Sequence, residues 1–169
     1  MARYILTPNA LGNLTRIAPA WGSSNLFKGL TDDEIIDAVI ARNIETGTIS
    51  DPSQVWVVDE ADLPGGGPSQ PDGDYFFDCW EWNGACVVNM PKARGVHMDA
   101  IRVVRNAELA AKDITFMRAV EAGDTDAQAT IGTEKQALRD IPATFDITTD
   151  VDTPEKLKAK WPSELPARE

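Results

Sequence analysis

His97 is the only histidine in the chain, and Cys79 and Cys86 are the only cysteines. A thiol beside an imidazole is a nucleophile–base pair, provided a third group orients the base. Nothing in the run Val96-His97-Met98-Asp99 has the spacing of such a site, so a structural histidine is the plainer reading. One His and two Cys also fall short of a four-ligand zinc centre. Asp72, Asp74, Asp78 and Glu81 gather carboxylates in a short span. They lack the twelve-residue loop and closing bidentate glutamate of a calcium hand, and a glycosidase pair drawn from them would be one of many on an acidic chain. Gly65-Gly66-Gly67 is followed by Pro68 rather than by Lys and Ser/Thr opening a helix, so no phosphate cradle is expected. The expectation is therefore a protein that is not an enzyme, with no catalytic residue, metal or cofactor. What remains is an aromatic set: Trp56, Tyr75, Phe76, Phe77, Trp80 and Trp82. These are either the core of a small sheet or, where exposed, a recognition face for protein or carbohydrate.

The elements that must position these residues are legible in part. Arg3 to Leu6 is a short apolar run closed by Pro8 and reads as an edge strand. Residues 9–30 show no clear pattern, with Trp21, Leu26 and Phe27 as candidate anchors. Thr31 followed by Glu34 is a capping box, and Asp32, Asp33 and Glu34 suit the positive end of a helix dipole. Ile35, Ile36, Val39 and Ile40 recur at helical spacing and Gly47 is a natural terminator, which predicts a helix over 32–45. Gln54 to Val58 is β-branched and aromatic and predicts a strand. Residues 64–73 hold four glycines and three prolines and read as a surface loop or a hinge.

Tyr75 to Met90 carries the clearest hairpin signal: two apolar runs around Asn83-Gly84, the pair favoured in a type I′ turn. That turn places Glu81 opposite Cys86 and Cys79 opposite Val88, with large apolar groups on both faces. The two cysteines then lie diagonally, about 7–8 Å apart, at or past the reach of a disulfide, and free thiols are expected.

From Pro91 onward the pattern turns helical. Val96, Ala100, Val103, Val104, Ala107, Ala110, Ala111, Ile114, Met117 and Val120 form a broad apolar stripe at spacings of three and four. Gly123 ends this helix, Thr125 with Gln128 reads as a second capping box, and Ala127, Ile131, Leu138 and Ile141 line a return arm that Pro142 stops. So short a connection forces antiparallel arms, at about 91–122 and 126–141. A last short helix starts at Pro154 and ends before Pro162, with Leu157 and Trp161 docking it as a clasp. The fold class is α+β: a small antiparallel sheet with a hairpin at 75–90, an antiparallel helical hairpin, and a short C-terminal helix. Three parts are expected: an N-terminal module at 1–53 suited to docking, a β module at 54–90, and the helical part at 91–169.

The chain has 169 residues and a net charge of −11, enough length for one real core or two small ones. Residues 1–90 carry four basic and thirteen acidic side chains, net −9, and residues 91–169 are close to balance at −2. An acidic half argues against nucleic acid, which demands a basic footprint, and against anionic lipid; it suits a basic protein surface. No apolar run approaches the ~18–20 residues of a membrane span, and Thr7-Pro8-Asn9 breaks the only candidate leader. Synthesis in a cytosol, without export by the usual route, is expected. Asn13-Leu14-Thr15 fits a glycosylation sequon, most simply by chance in a chain that is not secreted.

The run WEWNGACVVNMPKARGVHMDAIRVVRNAELAAKDITFMRAVEAGDTDAQATIGTEKQALRDIP, followed by TPEKLKAKWP, resembles a module of tailed-bacteriophage and prophage proteins, the tail-fibre-assembly and tail-accessory group. The resemblance rests on the MPKAR…H entry, the AGD turn, KQALRDIP and the closing TPE-LK…WP, and spans about residues 54–166. It implies a virion structural protein of the tail or tail-fibre region, present in several copies and bound to other phage tail or fibre proteins. Two alternatives stand beside it: an assembly chaperone that leaves before the particle is complete, and a small hydrolase or glycan-binding module built on residues 72–82. On the first reading the contact residues are Trp56, Tyr75, Phe76, Trp80, Trp82, Val96, Val103, Met117 and Trp161.

Overall fold

The computed structural model describes residues 2–19, 27–70 and 73–168. Trp21, Leu26 and Asp72, singled out above, lie outside the described residues. The chain is α+β and divides into two compact units, Met1–Asn89 and Met90–Glu169. The sequence suggested a further boundary at 53/54, but a strand from each side of it pairs in one sheet, so the first two expected parts are a single unit.

In the first unit, β1 (Arg3–Pro8) lies between β2 (Leu14–Ile17) and β3 (Trp56–Asp59), antiparallel to both. β1 is thus the central strand and not an edge. Its proline ends the strand, so no ladder bond is lost within it. Ile5, Leu6 and Thr7 are all buried. Successive strand residues point to opposite faces, so both faces of the sheet are covered. β2 arises from the stretch that carried no sequence pattern. α1 (Asp32–Glu45) forms where expected, with the Thr31–Glu34 capping box complete. Gly47, at φ +76°, donates its N–H to the Ile44 carbonyl at 3.1 Å. Of its apolar face Ile35 and Ile36 are buried and Ile44 is exposed. Within the Gly/Pro stretch Pro64–Gly66 forms a 3-10 turn, and the Glu60 carboxylate accepts the Ser69 N–H at 3.0 Å, tying the described part of this loop back on itself.

The 75–90 hairpin is present with a different register. β4 (Trp80–Trp82) pairs with β5 (Cys86–Val88) as Trp80 with Val88, Glu81 with Val87 and Trp82 with Cys86. Residues 77–79 form a 3-10 turn before β4 rather than extending it. The connection is Asn83–Ala85, three residues instead of two. A type I′ turn needs positive φ at both central residues; Gly84 has it, at φ +77°, and Asn83 does not. Slipping by one residue exchanges the faces. Trp80, Trp82, Cys86 and Val88 now share one side, while Glu81 and Val87 are exposed on the other. The apolar side packs with Leu6, Leu14, Leu63, Tyr4, Trp56 and Val58 in one core. One face covered and one open is the ordinary economy of an antiparallel sheet.

The second unit is a helical hairpin, α2 (Met90–Glu121) and α3 (Thr125–Thr144), followed by α4 (Pro154–Ala159). At the bend the Asp124 N–H reaches the Ala119 carbonyl at 2.9 Å and the Gly123 N–H the Val120 carbonyl at 3.1 Å, with Gly123 at φ +69°. This pair of bonds is a Schellman closure. Asp124, not Thr125, then caps the return arm: its carboxylate accepts the Ala127 N–H at 2.9 Å. One residue closes one helix with its backbone and opens the next with its side chain. α3 also runs through Pro142 to Thr144. So near the helix end, the proline's missing N–H and its crowding of the carbonyl four residues back disturb a single turn, and Ile141 and Phe145 on either side are anchored in the core of this unit.

The larger departure is the stripe on α2. The residues it buries are Ala93, His97, Met98, Ile101 and Ala119. Met98 and Ile101 join Leu138, Ile141 and Leu165, with Val104, Leu109, Phe145, Ile147 and Trp161 around them. Of the predicted stripe only Val104 belongs to that cluster. Towards the bend the arms are joined by charge: Lys112 to Glu134 and Lys135 to Asp113, each at 2.5 Å, with Lys135 also over the Phe116 ring.

Candidate interaction surfaces

The nine sequence-predicted contact residues fall into three groups. Phe76 and Trp80 are interior, at 5% and 2% exposure. Trp80 packs with Leu6, Leu14 and Leu63, Phe76 precedes the 77–79 turn outside the hairpin, and buried side chains of this kind offer nothing to a partner. Trp56, Tyr75, Trp82 and Trp161 are half-buried. Trp56 and Trp82 stack with centroids 4.6 Å apart and planes 12° from parallel, and Tyr75 meets Phe76 edge-on at 4.6 Å. Val103, Met117 and Val96 are exposed, at 70%, 56% and 37%.

Of the described carboxylates in the 72–82 span, Asp74 and Glu81 take separate partners. Asp74 is bound by both guanidinium nitrogens of Arg16. That guanidinium lies over Tyr4, Phe77 and Trp80 at 5.1–5.9 Å, so a core-facing cation is held by a carboxylate and an aromatic box. Arg16 went unnoticed in the sequence because β2 did. Glu81 accepts from the Asn89 amide at 2.9 Å. Among the described residues no three His, Cys, Asp or Glu side chains gather as a metal site. A groove of about 420 Å³ opens beside the Trp56–Trp82 stack, lined by Val57, Asp59, Asp62, Trp82 and Ala85.

Neither cysteine is in a disulfide and both are buried; burial pushes the Cys86 thiol pKa up to about 11, so it is protonated and inert at neutral pH. His97 is fully buried in the second unit. Its Nε2 lies 2.7 Å from the Lys160 carbonyl. A carbonyl only accepts, so Nε2 carries the proton. The ring meets Trp161 edge-on at 6.0 Å, and the Trp161 Nε1–H donates to the Pro166 carbonyl at 2.9 Å. Burial lowers the imidazole pKa; the Lys160 bond opposes this and the Arg168 charge adds to it. Histidine and tryptophan together pin the segment after α4 onto α2, which gives the lone histidine a structural task.

Exposed apolar side chains are scattered in the first unit, at Leu11, Ile44, Val57 and Val87, and form a run on α2. Besides Val96, Val103 and Met117, Ile114 is 58% and Val120 44% exposed, and Ala107 and Ala110 between them are exposed too. Ile101, against α3, is about 140° around the helix from Val96 at 100° per residue. α2 therefore has two apolar faces, one used within its own unit and one not. Comparison with protein-family models, curated proteins and solved structures finds no match to this chain.

Proposed function

We propose that this chain is a structural component of a tailed-bacteriophage virion, in the tail or tail-fibre region, and that it works by binding other tail or fibre proteins in a symmetric assembly. The observation that carries this reading is the open apolar row of α2, on a helical hairpin whose sequence, from MPKAR to KQALRDIP, resembles the tail-accessory group. Apolar side chains left in water along a rigid helix favour association. The acidic first unit adds a preference for a basic partner surface. The reaction-based alternative loses support from Asp74 being committed to Arg16.

Mass spectrometry of purified particles from a phage or prophage carrying this gene tests the reading. The expected result is the chain at a fixed stoichiometry with the tail proteins. Its presence only in the host lysate, with none in finished particles, would remove the virion assignment and leave the assembly-chaperone alternative.

A further inference from the structure

Asn83 is the only asparagine of the chain that is followed by glycine. The pair has a chemistry beyond the turn it makes. The carbon of an asparagine amide is electrophilic, and the backbone nitrogen of the next residue can close on it to form a five-membered ring. A Cβ on that next residue crowds the approach, and glycine has none. In a folded chain the closure needs a free side chain, a nitrogen that donates to nothing else, and open space around both.

The connection between β4 and β5 meets all of these conditions. Asn83, Gly84 and Ala85 are exposed. β4 ends at Trp82 and β5 begins at Cys86, so the Gly84 N–H lies outside the ladder. Among the described residues neither that N–H nor the Asn83 side-chain amide has a hydrogen-bond partner. Chain neighbours aside, nothing lies within 4 Å of where a Gly84 Cβ would stand. The other described asparagines are held or hindered. The Asn9 side chain accepts the Leu11 and Asn13 N–H groups. Asn43 donates to the Val39 carbonyl inside α1. Asn89 is bound to Glu81 and Asn106 to Arg105, and Asn13 is followed by Leu14 of β2.

We propose that Asn83-Gly84 is a site of spontaneous deamidation in the folded protein. Hydroxide takes the proton of the Gly84 N–H, and the nitrogen bonds to the Asn83 Cγ. The bond from Cγ to the side-chain nitrogen breaks, and that nitrogen leaves as ammonia after taking a proton from water. Water then opens the succinimide that remains. Attack at the side-chain carbonyl gives aspartate. Attack at the Asn83 main-chain carbonyl breaks its bond to the Gly84 nitrogen and gives isoaspartate, joined through Cγ. The net change consumes water and releases ammonia, with no oxidant or reductant. Either product sets a carboxylate beside the groove that Gly84 lines with Asp59 and Asp62. The isoaspartyl form also adds a carbon to the main chain of the β4–β5 connection.

The proposal stands apart from the virion assignment. The full chain, held folded in mildly alkaline buffer beside a sample unfolded in urea, tests it by mass-spectrometric peptide mapping and ammonia release. The folded sample should gain aspartate and isoaspartate at position 83, at a rate within ~10-fold of the unfolded one. The rate should rise with alkalinity, because the amide proton must leave first. Asn83→Gln, whose longer side chain would have to close a six-membered ring, should abolish the conversion while leaving circular dichroism unchanged. Conversion confined to the urea sample overturns the proposal. So does ammonia traced to another asparagine, or release from Asn83→Gln at the wild-type rate.

Discussion

The two units use apolar side chains in opposite ways. In the first, the largest ones turn inward: Trp80 is buried, Trp56 and Trp82 stack at the core's margin, and even a cation, Arg16, is drawn over three rings. In the second, the buried set is sparse, the arms are partly joined by lysine–carboxylate pairs, and aliphatic residues are left in water along α2. A small sheet has little area, so each ring it buries counts for much. A long helix forms its backbone bonds within itself and stays helical with one face unsatisfied. The contrast teaches that hydrophobic content is a poor guide to where stability resides, and that the second unit holds apolar surface in reserve.

Substitutions that strike one unit and spare the other test this contrast. Trp80→Ala should have the largest effect, about 3–5 kcal/mol for an emptied aromatic site, seen as early loss of tryptophan fluorescence change in urea while the helical signal persists. If both signals fail together, the units are not energetically distinct. In the second unit the costly position is His97. His97→Ala should lose about 2–4 kcal/mol from a cavity plus an unpaired Lys160 carbonyl. The same histidine makes stability depend on pH. Its folded pKa lies below the ordinary value, chiefly through burial, so the unfolded chain binds the proton more readily. The contribution is whole above about pH 6.5 and is lost as pH falls from there towards the folded pKa. His97→Gln, which keeps a donor without titrating, should flatten that limb of the melting-temperature profile; an unchanged profile would mean other groups cause it.

Smaller effects come from the turns. Gly84→Val should cost about 1–2 kcal/mol, since a β-branched residue resists positive φ. The space around it is open, so backbone strain alone is at issue, and a melting curve identical to wild type would contradict the hairpin. Asp124→Ala should cost about 1 kcal/mol by removing the cap of α3 while leaving the Gly123 closure intact. Smallest of all, Val103→Ser at low protein concentration should change stability by less than ~0.5 kcal/mol. A substantial loss there would show that the row is covered within the monomer and would erase the contrast between the units.

Local chemistry was readable without a fold. The Thr31–Glu34 box, the breaks at Gly47 and Gly123, the proline opening α4 and the antiparallel arms each follow from backbone groups that neighbouring residues satisfy or cannot. Tertiary structure decided the rest, because those choices depend on what lies across space. Nothing within residues 9–19 announces β2; only β1 beside it gives those backbone groups partners. Asn83-Gly84 specifies a turn, but its length was set by the register that brings Cys86 and Val88 onto the packed face beside Trp80 and Trp82. The spacing on α2 permits two apolar faces, and periodicity cannot say which one a return arm will cover. That was fixed by where Leu138 and Ile141 meet it, which leaves Val103 and Met117 in water, while in the first unit the packing of Trp80 with Leu6, Leu14 and Leu63 takes inside a ring the sequence had offered as a contact.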